Sequence, residues 1–142
     1  MAVINAVADA FDSTKTYITA GGHSFVIDEP APFGGEDTAP SPVAMLLGSL
    51  AGCINAIGQW VANEMNFKIK HLHVNIDGEV DGTAFFTGNL EKRAGFSKID
   101  VFIELDADID ENSKAIWLKN VIDRCPVTDN IKNMTAVSFD IK

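Results

Sequence analysis

Two cysteines carry the sharpest chemical signal in this chain: Cys53, inside an uncharged apolar stretch, and Cys125, framed by Arg124 and Pro126. A cysteine acts as nucleophile through its thiolate, so the question at each position is what would stabilise negative charge on sulfur. Pro126 suits the first position of a helix, which makes Cys125 its expected N-cap. Unsatisfied backbone N–H groups there favour an anion, and the neighbouring Arg124 adds a positive charge. Both effects lower a thiol pKa. Cys53 falls in mid-helix, eleven residues after Pro42, and on local grounds should remain a neutral thiol. A purely structural reading stays open for both residues, as small buried apolar side chains. Neither belongs to a Cys-x-x-Cys pair, and two cysteines are too few for a disulfide scaffold.

The histidines are weaker candidates. His71 and His73 point the same way from a strand, on its polar face with Asn75 and Asp77, but no third ligand follows at a recognisable spacing. A structural zinc site is therefore not expected. His23 reads as a solvated residue beside a hairpin turn. The sequence contains no glycine-rich phosphate loop, no nucleophile-elbow serine and no His-Glu helix motif.

Composition narrows the function further. The 142 residues carry 11 Lys and Arg against 20 Asp and Glu, a formal charge of −9, and the two arginines are Arg93 and Arg124. A polyanion would be repelled, so neither nucleic acid nor an anionic membrane surface is an expected partner. With 46% hydrophobic residues the chain should bury its own core as a single domain, residues 1–142. Met1 to Asp12 show no charged leader followed by a cleavage pattern, which suggests a cytoplasmic protein. Thr38 to Asn63 run for 26 residues without a charge, long enough to cross a bilayer. Pro40, Pro42, three glycines and acidic flanks argue for a buried or interface helix instead.

The elements that position these residues follow from periodicity. Val3–Ala8, Lys15–Ala20 and His23–Asp28 are β-prone, and Gly21-Gly22 predicts a hairpin between the last two. Residues 29–41 hold three prolines and a Gly-Gly pair, which predicts a long loop. Ser41-Pro42 opens a helix on which Leu46, Leu50, Cys53 and Ile57 form one stripe, with Gly48 and Gly52 beside it, suited to close approach of another backbone. Alternation at Leu72, Val74 and Ile76, and again at Ile99, Val101, Ile103 and Leu105, predicts two half-buried strands. Between them, Asp81-Gly82 reads as a turn and Thr83–Phe96 as a further strand and a loop. Asp110–Arg124 is a second helix, Pro126–Asn130 a short third, and Val137, Phe139 and Ile141 a closing strand. The expected class is α+β: an antiparallel sheet with two main helices packed on one face.

The stretch from Asp28 to Cys53, DEPAPFGGEDTAPSPVAMLLGSLAGC, together with CPV at Cys125–Val127 and a last strand, resembles the OsmC/Ohr superfamily. The resemblance rests on Pro42, eleven residues before Cys53 on an Ala/Gly/Leu-rich helix, and on the order of the two cysteine motifs. It implies an intertwined homodimer and a thiol-dependent reduction of hydroperoxides, preferentially organic ones. In that scheme Cys53 attacks the peroxide, Cys125 resolves the sulfenic acid as a disulfide, and an external thiol regenerates the pair without cofactor, flavin or metal. Val43 and Ala44 stand where the resemblance would place a glutamate, and no arginine precedes Arg93. Support for a thiolate would then have to come from Arg124, His23 or Glu36. A second expectation is an OsmC-fold protein with weak or no peroxidase activity that binds a small apolar ligand at the dimer interface. A third is a structural dimer with inert thiols.

Overall fold

The computed structural model describes residues 2–141. These divide into two compact units, the first ending at Gly48 and the second beginning at Ser49, so the boundary falls inside the long helix.

In the first unit, strands β1 (Ala6–Ala10), β2 (Thr16–Ala20) and β3 (His23–Ile27) form an antiparallel sheet in that order. Gly21 and Gly22 both take positive φ, 57° and 81°, the geometry of a two-residue hairpin turn matched to strand twist. β1 begins later than the sequence suggests, leaving Val3 and Ile4 exposed. The loop that follows is organised by a residue the sequence reading passed over. Asp28 is fully buried, and its carboxylate accepts hydrogen bonds from the backbone N–H groups of Glu29, Glu36 and Thr38 and from the Thr38 hydroxyl, at 2.8–3.3 Å. Donors in this number favour the ionised form and hold the Asp28 carboxyl at about 2 instead of its ordinary 3.8, against the opposing effect of burial. Gly35 completes the turn by necessity, since a Cβ there would lie 1.7 Å from the Glu29 carbonyl oxygen.

Helix α1 (Pro42–Glu64) starts as expected, with the Ser41 hydroxyl accepting from the Ala44 N–H at 3.4 Å. Among the described helices it alone is long and apolar enough to cross a membrane. In the second unit its inward face packs into a core with β4 (Ile69–Glu79), β5 (Lys98–Ala107) and α3 (Glu111–Arg124). The buried stripe is Leu50, Ile54, Ile57 and Val61, rotated slightly from the predicted one, so that Leu46 is exposed and Cys53 sits on the border, half-buried. β4 and β5 pair antiparallel with Val74 opposite Ile103, and their apolar residues Leu72, Val74, Ile76, Ile99, Ile103 and Leu105 turn toward the helices. The α+β class and the antiparallel pairing are therefore present, with the strands distributed over two sheets.

Two segments differ from expectation. Residues 83–87 form a short helix, α2 (Thr83–Thr87), not a strand: the Asp81 carboxylate accepts from both the N–H and the hydroxyl of Thr83, an Asx turn that leads into the helical turn. Val137, Phe139 and Ile141 keep their alternating pattern but form no strand among the described residues; Phe139 is 93% and Ile141 98% exposed. A strand exists only by pairing with another backbone, and this segment pairs with none in the described chain.

The close approach anticipated at Gly48 and Gly52 occurs one turn or more further on. A Cβ at either of those glycines would meet nothing within 4 Å, whereas one at Gly58 would lie 2.8 Å from the Trp117 ring. The Trp117 indole N–H donates to the Gly58 carbonyl at 2.9 Å, which locks α3 onto α1. Overpacking costs about 1–3 kcal/mol, against a gain of about 1 kcal/mol when alanine replaces a helical glycine. Gly58→Ala is thus expected to lower the urea midpoint; a raised midpoint would show that Trp117 gives way freely. The Asp28 contribution has a definite sign. A carboxyl depressed in the folded state stabilises above its ordinary pKa and loses that effect as pH falls through the folded value. Limited proteolysis of the 29–41 loop should therefore accelerate as pH drops from about 4 toward about 2, and Asp28→Asn should remove that pH dependence.

Candidate functional site

Cys125 stands at a junction the sequence dictates. Pro126 forbids α3 to continue, the Cys125 N–H still bonds back to the Val121 carbonyl at 3.0 Å, and the next helix, α4 (Pro126–Lys132), opens at once. The residue is both the last cap of α3 and the N-cap of α4, and its sulfur accepts from the Thr128 N–H at 3.4 Å. It is only 1% exposed and belongs to the core of the second unit.

Cys53 comes to the same point from the middle of α1. The two Sγ atoms are 2.7 Å apart, and both cysteines are free thiols. A disulfide requires about 2.05 Å, so closing the bond needs a displacement of well under an ångström. In the fully protonated pair the Cys125 thiol donates to Cys53. When the pair loses a proton, the environment decides where the charge rests. Burial pushes the Cys53 thiol up and the adjoining Cys125 sulfur pushes it further, against the opposing donation of the Val127 N–H. Burial also acts to raise Cys125, but donation from Cys53, from the Thr128 hydroxyl and backbone, and from the Val127 N–H outweighs it, so the Cys125 thiol is lowered. On these directions a proton leaves Cys125 more readily than Cys53.

The proposed supporting groups are placed as follows. Arg124 forms a two-pronged ion pair with Glu64, at 2.5 and 2.9 Å, joining the end of α3 to the end of α1. That hydrogen bonding lowers the Glu64 carboxyl and raises the guanidinium. Glu36 and His23 lie in the first unit: Glu36 pairs with Lys15 at 2.9 Å and gives its N–H to Asp28, and His23 opens β3 opposite Ala20. The sequence reading missed Thr128 and Glu64. Thr128 was accessible in principle, since the third residue after an N-cap carries one of the helix's unsatisfied N–H groups. Glu64 had no local signal, because its partner is 60 residues away. His71 and His73 face Asp106 and Glu104 across the strand pair, and among the described residues no group of three or more candidate ligands could hold a metal.

A largely apolar cavity of about 330 Å³ is lined by Leu50, Ile54, Ile103, Leu118, Val121 and Thr128, and neither cysteine is part of its lining. Thr128 therefore borders the cavity and touches the Cys125 sulfur.

An α+β chain with this arrangement of helices and thiols falls in a known structural class. A family profile of OsmC-like proteins matches residues 34–140, and the chain belongs to that family. Among solved structures it is similar to an OsmC-like protein from Mycoplasma pneumoniae, with a TM-score of 0.79 at 19% identity over 94% of this chain and 89% of that one. It is also similar to an organic hydroperoxide resistance protein OsmC from Legionella pneumophila, with a TM-score of 0.68 at 15% identity over 93% and 90%. The organic hydroperoxide resistance protein OhrB of Bacillus subtilis superposes with a TM-score of 0.59 at 19% identity over 93% and 92%. No curated protein sequence matches significantly.

The assignment of charge within the pair is open to direct measurement. In a pH titration of the wild-type protein followed by the cysteine Cβ carbon shifts in NMR spectra, Cys125 is expected to ionise at lower pH than Cys53. The opposite order would place the charge on Cys53.

Proposed function

We propose that this protein is a thiol-dependent reductase of organic hydroperoxides, with Cys53 as the attacking and Cys125 as the resolving sulfur. The observation that carries this reading is the 2.7 Å separation of the two sulfurs, with one of them half-buried and the other enclosed. Two structural neighbours described as organic hydroperoxide resistance proteins support it. The neighbouring cavity suits the apolar part of such a substrate.

In this mechanism the shared proton moves within the pair. Cys125 takes the Cys53 proton as Cys53 Sγ attacks the distal peroxide oxygen. The O–O bond breaks, Cys53 becomes a sulfenic acid, and the departing alkoxide takes its proton from Cys125. The Cys125 thiolate, already stabilised by Thr128, then attacks Cys53 Sγ and expels hydroxide, which leaves as water once protonated. The result is a disulfide between the two, formed with little movement. A dithiol returns it to two thiols.

The active unit in this reading is a homodimer. The alternating apolar residues Val137, Phe139 and Ile141, exposed in the single chain, are the support for strand pairing with a second copy. A second functional reading draws on the same cavity: with Val43 and Ala44 where a glutamate would be expected and no arginine before Arg93, the protein binds a small apolar molecule without turning it over.

Mixing the protein with cumene hydroperoxide and a dithiol distinguishes these. Peroxide-dependent dithiol consumption is expected, falling to the uncatalysed rate in Cys53→Ser, while Cys125→Ser should make a single turnover and accumulate a dimedone-reactive sulfenic acid. No consumption above the Cys53→Ser control, with an apolar ligand retained in native mass spectra, would favour binding without catalysis. Sedimentation of the wild type should give the mass of two chains, and truncation before Val137 should shift it toward one.

A further inference from the structure

The sulfur pair is asymmetric, and the asymmetry bears on the step that regenerates it. We propose that the external thiol bonds to Cys53 with Cys125 departing, and that Thr128 is the positioning residue that fixes this direction. The inference rests on the reading of Cys53 and Cys125 as a redox pair.

Access supplies the first argument. A thiolate must approach a disulfide sulfur from outside the bond, in line with it. Cys53 is half-buried on the border of the α1 stripe, whereas Cys125 is 1% exposed within the core cluster that includes Trp117 and Val121. The sulfur that can be reached is Cys53.

The second argument concerns the leaving group. In thiol–disulfide exchange the sulfur that better carries negative charge departs faster. Cys125 leaves into an existing set of donors: the Thr128 N–H at 3.4 Å and the Thr128 hydroxyl, with the Val127 N–H beside them. Cys53, in the middle of α1, has the poorer set: it shares the Val127 N–H, but burial and its sulfur neighbour both oppose charge there. Access and leaving ability therefore select the same direction.

The electron count closes with a dithiol as reductant. One of its thiolates forms a bond to Cys53 Sγ, the Sγ–Sγ bond breaks, and that electron pair stays on Cys125 as a thiolate facing Thr128. The second thiol of the reductant then attacks the sulfur of its own first thiol, closing the oxidised dithiol and releasing Cys53, which takes a proton. The protein disulfide gains two electrons and the dithiol loses two.

The test separates this proposal from peroxidase activity by closing the disulfide with diamide instead of peroxide. The oxidised protein is mixed with limiting 2-mercaptoethanol, quenched within seconds with N-ethylmaleimide at mildly acidic pH, and mapped by peptide mass spectrometry. The expected product carries mercaptoethanol on Cys53 and maleimide on Cys125. Thr128→Val, which removes the hydroxyl and keeps the shape, should be reduced severalfold more slowly, with part of the adduct moved to Cys125; Thr128→Ser should restore the wild-type rate and pattern. Wild-type adduct mainly on Cys125, or a Thr128→Val protein identical in rate and adduct position, would overturn the proposal. So would failure of diamide to close an intrachain bond. A protein inert toward hydroperoxides that still gives the Cys53 adduct would refute the peroxidase reading alone.

Discussion

The contact between the Cys53 and Cys125 sulfurs depends on one backbone constraint: a helix that must stop at Pro126. Because proline drives the preceding residue out of helical geometry, Cys125 is held extended, with its sulfur turned back toward the first N–H groups of the next helix. Without that break the residue would be one more position on α3, and its thiol would have neither the Thr128 donors nor a fixed place opposite α1. The pair thus owes its geometry to a local rule and its closeness to the packing of two helices.

That packing is set by Gly58 and Trp117. The indole lies where any side chain at residue 58 would be, and its N–H satisfies a carbonyl of α1. At the other end of the same two helices, Glu64 and Arg124 add a paired charge. Arg124 precedes Cys125 directly, so this ion pair anchors the end of α3 from which the cysteine departs. Backbone and hydroxyl donors near Cys125 lower its thiol, and the Arg124 guanidinium bonds to Glu64. Burial penalises both thiols and the Val127 N–H favours charge on each, while the further donation at Cys125 lowers that thiol.

Much of this was legible from residue order, and the reasons for what was not are physical. Local chemistry determines caps and turns, so the Gly21-Gly22 hairpin, the Ser41 and Asp110 helix starts and the N-cap role of Cys125 could be read directly. Long-range partners leave no local trace. Trp117 meeting Gly58, Glu64 meeting Arg124 and the nearness of Cys53 to Cys125 depend on how helices stack, and the last was available only through resemblance. Thr83–Thr87 departs from the expected strand because the Asp81 carboxylate turns the chain into a helical turn through Thr83. The buried Asp28 escaped notice because an aspartate before a proline-rich loop ordinarily reads as solvated, and its donors are the loop's own N–H groups.

The most direct measurement is to treat the fully reduced protein with one equivalent of an organic hydroperoxide and map its cysteines by non-reducing peptide mass spectrometry. The account predicts a single cross-linked peptide pair joining Cys53 to Cys125 within one chain. Recovery of both cysteines as free thiols, or joined only between chains, would contradict it.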